Sequence, residues 1–187
     1  VMLADHGFLE NKCYCIYISP LKALNRDVSL NLMEPLEEME KIAGKKFDIR
    51  LGIRTGDTTA SEKQRMLTKS PHILITTPES LALALASYKF KELLKEVQYI
   101  IVDELHALCD NKRGVHLSLS LERLQQYCSK ELVRIGLGAT VAPIQNIVEF
   151  LVGNGRNCLI AQVDVTKKMD LKVITPVKDL INVSYEG

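Results

Sequence analysis

The apolar run Tyr99-Ile100-Ile101-Val102 leads directly into Asp103-Glu104-Leu105-His106. A strand that ends in two acids carries charges that are costly to desolvate unless they are paired or put to use. Metal-assisted phosphoryl transfer uses such a pair. One carboxylate holds Mg²⁺, usually through water, and the other orients the attacking water. On that reading Asp103 takes the metal and Glu104 the water. His106, two residues beyond Glu104, could pass a proton or a hydrogen bond to a neighbouring strand end, with the Thr140 hydroxyl as its candidate partner. Two other readings stand beside this one. In the first, Asp103 caps a helix and His106 is a satisfied core group. In the second, Asp103, Glu104 and His106 begin a metal-hydrolase centre, for which Asp57 and Asp110 are the candidate recruits.

These side chains need a frame, and the chain carries one. Short apolar runs at Cys13–Ser19, Phe47–Ile53, Ile73–Thr76, Val97–Val102, Val133–Leu137 and Cys158–Val163 read as strands of a parallel sheet. The stretches between them are long enough for crossover helices. Apolar residues at 21, 24, 28, 32, 36, 39 and 42 predict a helix over Leu21–Ala43, kinked or restarted at Pro35 and ended by Gly44. Ser61-x-x-Gln64 reads as a capping box opening a helix through about Lys69. Val115–Cys128 mixes alternating and helical spacing; its Glu, Arg and Gln content favours helix.

The strand ends share a pattern. Ser19-Pro20, Thr77-Pro78 and Thr140 each follow a strand, and a hydroxyl followed by Pro is a good helix start. Free N–H groups and the positive dipole end suit phosphate oxygens, so several such starts on one edge could track a nucleic-acid backbone without reading bases. Taken alone, they are equally what any α/β protein needs.

Composition narrows the classes. With 187 residues, 47% hydrophobic and 25% charged, the chain suits one globular domain rather than a disordered or collagen-like one. The net charge of +1 excludes a polybasic tail and leaves a local basic groove open. No apolar run approaches the roughly 18 residues of a membrane span, and no signal segment opens the chain, so a cytoplasmic protein without a membrane partner is expected. Five Cys without a C-x-x-C pair argue against disulfides and zinc; Cys13 and Cys15 read as small buried hydrophobes. His6, His72 and His116 lack ligand spacing and read as surface or packing residues. After Gly153-Asn154-Gly155 the texture changes to a tail with alternation at Leu171 and Val173.

Asp103-Glu104-Leu105-His106 resembles the DExH form of motif II of superfamily-two helicases. Ser19-Pro20-Leu21-Lys22-Ala23-Leu24 resembles their motif Ia, Thr76-Thr77-Pro78-Glu79-Ser80 motif Ib, and Gly138-Ala139-Thr140 motif III. Arg54-Thr55-Gly56-Asp57 and Asn111-Lys112-Arg113-Gly114-Val115-His116 are similar to stretches of the large helicase-related (Lhr) ATPases. The resemblance implies an α/β, RecA-like fold: an open, mostly parallel sheet with helices on both faces. Residues 1–153 would be a partial first RecA-like domain, and 154–187 its last strand and a linker toward a second one.

The resemblance also implies ATP and Mg²⁺ as ligands. Asp103 would hold the metal, Glu104 would activate water, and His106 with Ala139 and Thr140 would couple the nucleotide site to the strand. Ser19, Lys22, Thr55, Gly56, Thr77, Pro78 and Glu79 would lie along a tracking strand, single-stranded DNA before RNA. Two features depart from the family pattern. The phosphate loop G-x-x-x-x-G-K-[ST] is absent; the Gly44-Lys45 pair continues with Lys46 and has Met39 where the leading Gly belongs. Val1–Leu9 would correspond to the helix that follows the loop, so the chain is expected to start downstream of its own ATP cradle and to be inactive alone. Finally, Gly138 stands where a Ser usually opens motif III. The alternative is a non-catalytic RecA-like module that binds nucleic acid or protein.

Overall fold

The computed structural model describes residues 1–20, 22–139 and 143–161, with the side chains of 22–28 left aside. In chain order the elements are α1 (Met2–Asp5), β1 (Cys15–Ile18), α2 (Lys22–Ala43), β2 (Leu51–Arg54), α3 (Ala60–Thr68) and β3 (Ile73–Thr76). They continue with α4 (Pro78–Ala86), α5 (Tyr88–Leu93), β4 (Tyr99–Val102), a 3-10 turn (Leu105–Ala107), α6 (Lys112–Tyr127), β5 (Val133–Gly136) and α7 (Ile144–Val152). The five strands form one sheet in the order β2-β3-β1-β4-β5, and every pairing is parallel. The expected α/β architecture is therefore present. β1 sits in the middle, flanked by β3 on one side and β4 on the other, which makes the carboxyl end of β1 a switch point of the chain.

Burial is uneven across the sheet. Ile16, Ile18, Leu74, Ile100 and Val102 share one face by register and are fully buried. On the other face Ile75 is fully buried, while Cys15, Tyr17, Ile73 and Ile101 are half-buried. The buried face packs with Leu81, Leu85, Leu117, Leu121 and Leu124 of α4 and α6 in one core. Each such leucine contributes about 1.5–3 kcal/mol by leaving water. β5, at the end of the sheet, is mostly exposed, Val133 at 51%.

The ambiguous Val115–Cys128 segment is helical, and burial shows why. Leu117, Leu121 and Leu124 are wholly buried while Val115 and Leu119 face solvent, so the 3.6-residue period wins over alternation. Asn111 starts this helix, its side-chain oxygen accepting from the N–H groups of Arg113 (3.0 Å) and Gly114 (3.1 Å).

Several local expectations are corrected. The capping box belongs to Thr59 and Glu62, not Ser61 and Gln64. Thr59 Oγ1 accepts from Glu62 N–H at 3.3 Å and Glu62 Oε2 accepts from Thr59 N–H at 2.8 Å, which leaves Ser61 inside the helix. α2 runs through Pro35 as one helix of 22 residues, so no second helix restarts there, while Gly44 at φ +64° ends it as expected. Pro35 removes one donor, and the remaining turns carry the helix past it. β2 begins at Leu51 rather than Phe47, because Asp48 takes a left-handed conformation (φ +52°) that no strand accommodates. The strand expected over Cys158–Val163 is absent from 158–161, where Leu159 is fully exposed; 162 onward lies outside the described residues, as does the alternation at 171–177.

Of the two cysteines expected to be buried, Cys13 is, and Cys15 is half-buried. Burial pushes the thiols of Cys15 and Cys128 up to about 11. His72 is a packing residue: Nδ1 accepts from Arg50 N–H at 3.1 Å, which leaves Nε2–H to donate to the Glu10 carbonyl at 3.1 Å. No helix among the described residues is long and apolar enough to cross a membrane.

Candidate functional site

The site grows out of strand register. Arg54, Thr76, Ile18, Val102 and Gly136 lie in one row across the sheet. The next residue of each strand, at the carboxyl edge, is Thr55, Thr77, Ser19, Asp103 or Leu137. Backbone bonds carry the row outward: Ser19 N–H donates to Thr76 O (3.0 Å), Asp103 N–H to Ile18 O (2.9 Å) and Leu137 N–H to Val102 O (2.9 Å). Motifs separated by up to 118 positions in the chain thereby come to one edge, with the acids beside the central strand.

Asp103 is held at both oxygens. The Tyr17 hydroxyl donates to Oδ2 at 2.6 Å and the Glu104 N–H to Oδ1 at 2.8 Å. Tyr17 went unremarked in the sequence; it lies on the half-buried face of β1, across from Ile101, and reaches the acid two residues beyond. Burial and the Asp103 carboxylate push its phenol far above the usual range, so it stays a donor. Asp103 caps no helix, which removes that reading of it.

Glu104 adopts a left-handed backbone (φ 51°, ψ 44°), a conformation that costs a non-glycine residue about 1–2 kcal/mol. The turn swings its side chain onto His106, whose Nε2 lies 3.1 Å from Oε2, both groups partly open to solvent. His106 is thus no core group. Leu105 N–H donates to Leu137 O at 3.0 Å, tying the loop after the acids to the end of β5. A Cβ on Gly138 would sit 3.7 Å from His106 Nδ1, ordinary contact, so space does not dictate Gly at that position. Ala139 is exposed beside it, and Thr140, the expected partner of His106, lies outside the described residues.

The remaining predicted site residues divide by exposure. Ser19, Thr55, Thr77 and Pro78 are buried, while Gly56 and Glu79 are at the surface. Thr55 Oγ1 accepts from Asp57 N–H (3.3 Å), and Thr77 Oγ1 caps α4 by accepting from Ser80 N–H (3.3 Å), with Pro78 at the first helical position. Lys22 stands in the first turn of α2, its side chain outside the described residues. Arg54, just before Thr55, is buried, donates to the Ser80 carbonyl and stacks 4.3 Å from the Phe90 ring centroid. Replacing Thr77 by Ala is expected to lower stability by about 1 kcal/mol, read as a lower urea midpoint at unchanged slope.

Arg113 also escaped assignment. Its Nε donates to Glu79 Oε1 at 2.6 Å and its Nη2 to Pro20 O at 2.7 Å. Arg113 holds the Glu79 carboxyl below its usual range. Opposite charges in the first turns of α4 and α6 were the sequence trace of this contact. Among the described residues no three His, Cys, Asp or Glu side chains converge as metal ligands. Asp57 and Asp110 therefore recruit no hydrolase centre with Asp103.

The model of the DEAD/DEAH box helicase family matches residues 2–149. The chain is 54% identical over 186 residues to the ATP-dependent helicase Lhr-Core of Methanothermobacter thermautotrophicus, covering 96% of this chain and 22% of that protein. It is 41% identical over 173 residues to the Lhr helicase/uracil glycosylase of Escherichia coli, covering 90% of this chain and 11% of that one. Among solved structures, Mycobacterium smegmatis helicase Lhr bound to ssDNA and AMP-PNP superimposes with a TM-score of 0.72 at 44% identity, over 76% of this chain and 19% of that one. The chain thus spans about a fifth of the length of its archaeal relative.

Proposed function

Because the chain belongs to the DEAD/DEAH box helicase family, we propose that it is the first motor domain, in part, of an ATP-dependent Lhr-type translocase on single-stranded DNA. Residues 1–153 form the RecA-like part, and 154–187 lead toward a second RecA-like domain. One observation carries the reading: Asp103 and the Ser19, Thr55 and Thr77 strand ends stand in one register row around β1, with Glu104 in the turn directly after it. Nucleotide chemistry and strand contact then share an edge, as a motor requires.

Asp103 would hold Mg²⁺. It is a hard oxygen donor and, among the described residues, has no convergent group of protein co-ligands, the donor set accepted by a cation that keeps several waters and binds phosphates. Bound there, Mg²⁺ supplies neutralisation of charge developing on the transferred phosphoryl group. Tyr17 and the Glu104 N–H fix the Asp103 carboxylate so that it need not reorganise on binding. Glu104 orients the attacking water and takes its proton. His106 steadies the Glu104 carboxylate and, with Ala139 and Thr140, would couple the nucleotide site to the strand. Ser19, Lys22, Thr55, Gly56, Thr77, Pro78 and Glu79 belong to the strand-contact edge, where helix starts offer N–H groups to phosphates. The ssDNA held by the mycobacterial homologue favours DNA over RNA as the track. The reading places the protein in the cytoplasm.

The test is ATP turnover of the complete protein with oligo-dT or oligo-U added. Severalfold greater stimulation by oligo-dT is expected. Stimulation by oligo-U alone would make RNA the track, and negligible turnover with both would replace a motor by a non-catalytic binding module.

A further inference from the structure

Glu79 poses an electrostatic problem on the strand-contact edge. It stands in the first turn of α4, where the helix start favours anions, and half of its side chain is exposed. A free carboxylate there would occupy the positive end of the helix and repel a phosphate backbone. Arg113 removes the problem. Its Nε and Nη2 reach the two Glu79 oxygens at 2.6 and 3.4 Å, and Nη2 also donates to the Pro20 carbonyl at 2.7 Å. Pro20 is buried and stands two residues before Lys22, the first residue of α2. One guanidinium thus joins the starts of three helices, α2, α4 and α6, and its planar fork is suited to a carboxylate and a carbonyl together.

The position of Arg113 in the chain adds a second link. It sits two residues after Asn111, the N-cap of α6, whose amide donates to the Ala107 carbonyl of the turn that follows the acids. The loop containing His106 and the two helix starts facing a strand are therefore bound to the same first turn.

Resting on the strand-binding reading above, we infer that Arg113 is a positioning residue of the nucleic-acid edge: it neutralises Glu79 and clasps the starts of α2 and α4, and does not itself touch phosphate.

The two roles separate in a salt titration of oligo-dT binding by the complete protein, wild type beside Arg113→Ala, Glu79→Gln and the double variant. For a positioning residue, Arg113→Ala weakens binding about tenfold at fixed salt, the scale set by a charge-assisted contact. The slope of log affinity against log salt stays at the wild-type value. Glu79→Gln added to Arg113→Ala recovers at least half of the loss on a logarithmic scale, because the unneutralised charge is gone. A slope shallower by about 0.7, the change for one lost single-strand phosphate contact, overturns the inference, with or without rescue. So does an unchanged affinity, or a loss that Glu79→Gln leaves untouched. Arg113 is half-exposed, so the variants should fold; unfolding midpoints within a few degrees of wild type verify that. A wild type that does not bind oligo-dT would sink the strand-binding reading itself, a result distinct from all of these.

Discussion

Glu104→Gln in the complete protein is expected to cut DNA-stimulated ATP turnover by about 10²–10⁴-fold, the range for removing a positioned general base. Glutamine keeps the length and shape of the side chain, and its amide oxygen can still accept from His106 Nε2, which lies 3.1 Å from the carboxylate in the native protein. It also meets the same backbone cost in the left-handed conformation at φ 51°, so neither fold nor turn geometry should change. What is lost is the negative charge that orients water and accepts its proton. Nucleotide affinity, measured with a fluorescent non-hydrolysable analogue, should stay near wild type, because Asp103 and its Tyr17 and Glu104 N–H supports are untouched. Turnover within threefold of wild type would show that Glu104 is not the base, and a parallel collapse of nucleotide binding would give it a binding role instead.

Gly114→Ala is expected to destabilise the protein through a clash with backbone. A Cβ on Gly114 would lie 1.9 Å from the Leu108 carbonyl oxygen, with Phe150 at 3.2 Å on another side. The first clash is with backbone and cannot be relieved by a rotamer change. α6 must move off the turn at 105–108, or the turn must move off β4, and either shift opens the packing around Leu108 and Leu117, both fully buried. Overpacking of this kind costs about 1–3 kcal/mol, a sizeable share of a domain's stability. Because the same turn carries His106, turnover should fall together with the unfolding midpoint. Gly138→Ala is the internal control: its Cβ would find only ordinary contacts at 3.6 Å and beyond, so its midpoint should stay within a degree or two of wild type. Equal midpoints for the two alanine variants would refute the close-approach argument.

Much of this was legible in the sequence because it depends on local physics. Strand cores of Ile, Leu and Val, the Thr77-Pro78 helix start, the apolar period of α2 and the two acids after Val102 are short-range patterns, and they placed β3 (Ile73–Thr76) to the residue and α2 to within one residue, although Ser19-Pro20 lies ahead of the helix it was expected to start. The capping box was misplaced by two residues because Thr59-x-x-Glu62 and Ser61-x-x-Gln64 both satisfy the motif. Only the folded geometry selects the pair whose donors and acceptors meet.

What tertiary structure alone decided is which local features are neighbours. Strand order brings β3, β1 and β4 side by side, and their register makes one row of Thr77, Ser19 and Asp103. Nothing in the spacing of those residues along the chain specifies this. The Tyr17 hydrogen bond to Asp103 and the Arg113 link between Glu79 and Pro20 join residues 86, 34 and 93 positions apart. They arise from the sheet pairing and from the packing of α4 against α6. The left-handed turn at Glu104 belongs with them: propensity disfavours it, and the loop between β4 and α6 imposes it while aiming the carboxylate at His106. Residue types and periods write the elements and the chemistry into the sequence one segment at a time. Site geometry depends on contacts between distant segments, whose relative placement is set by the packing of the whole sheet.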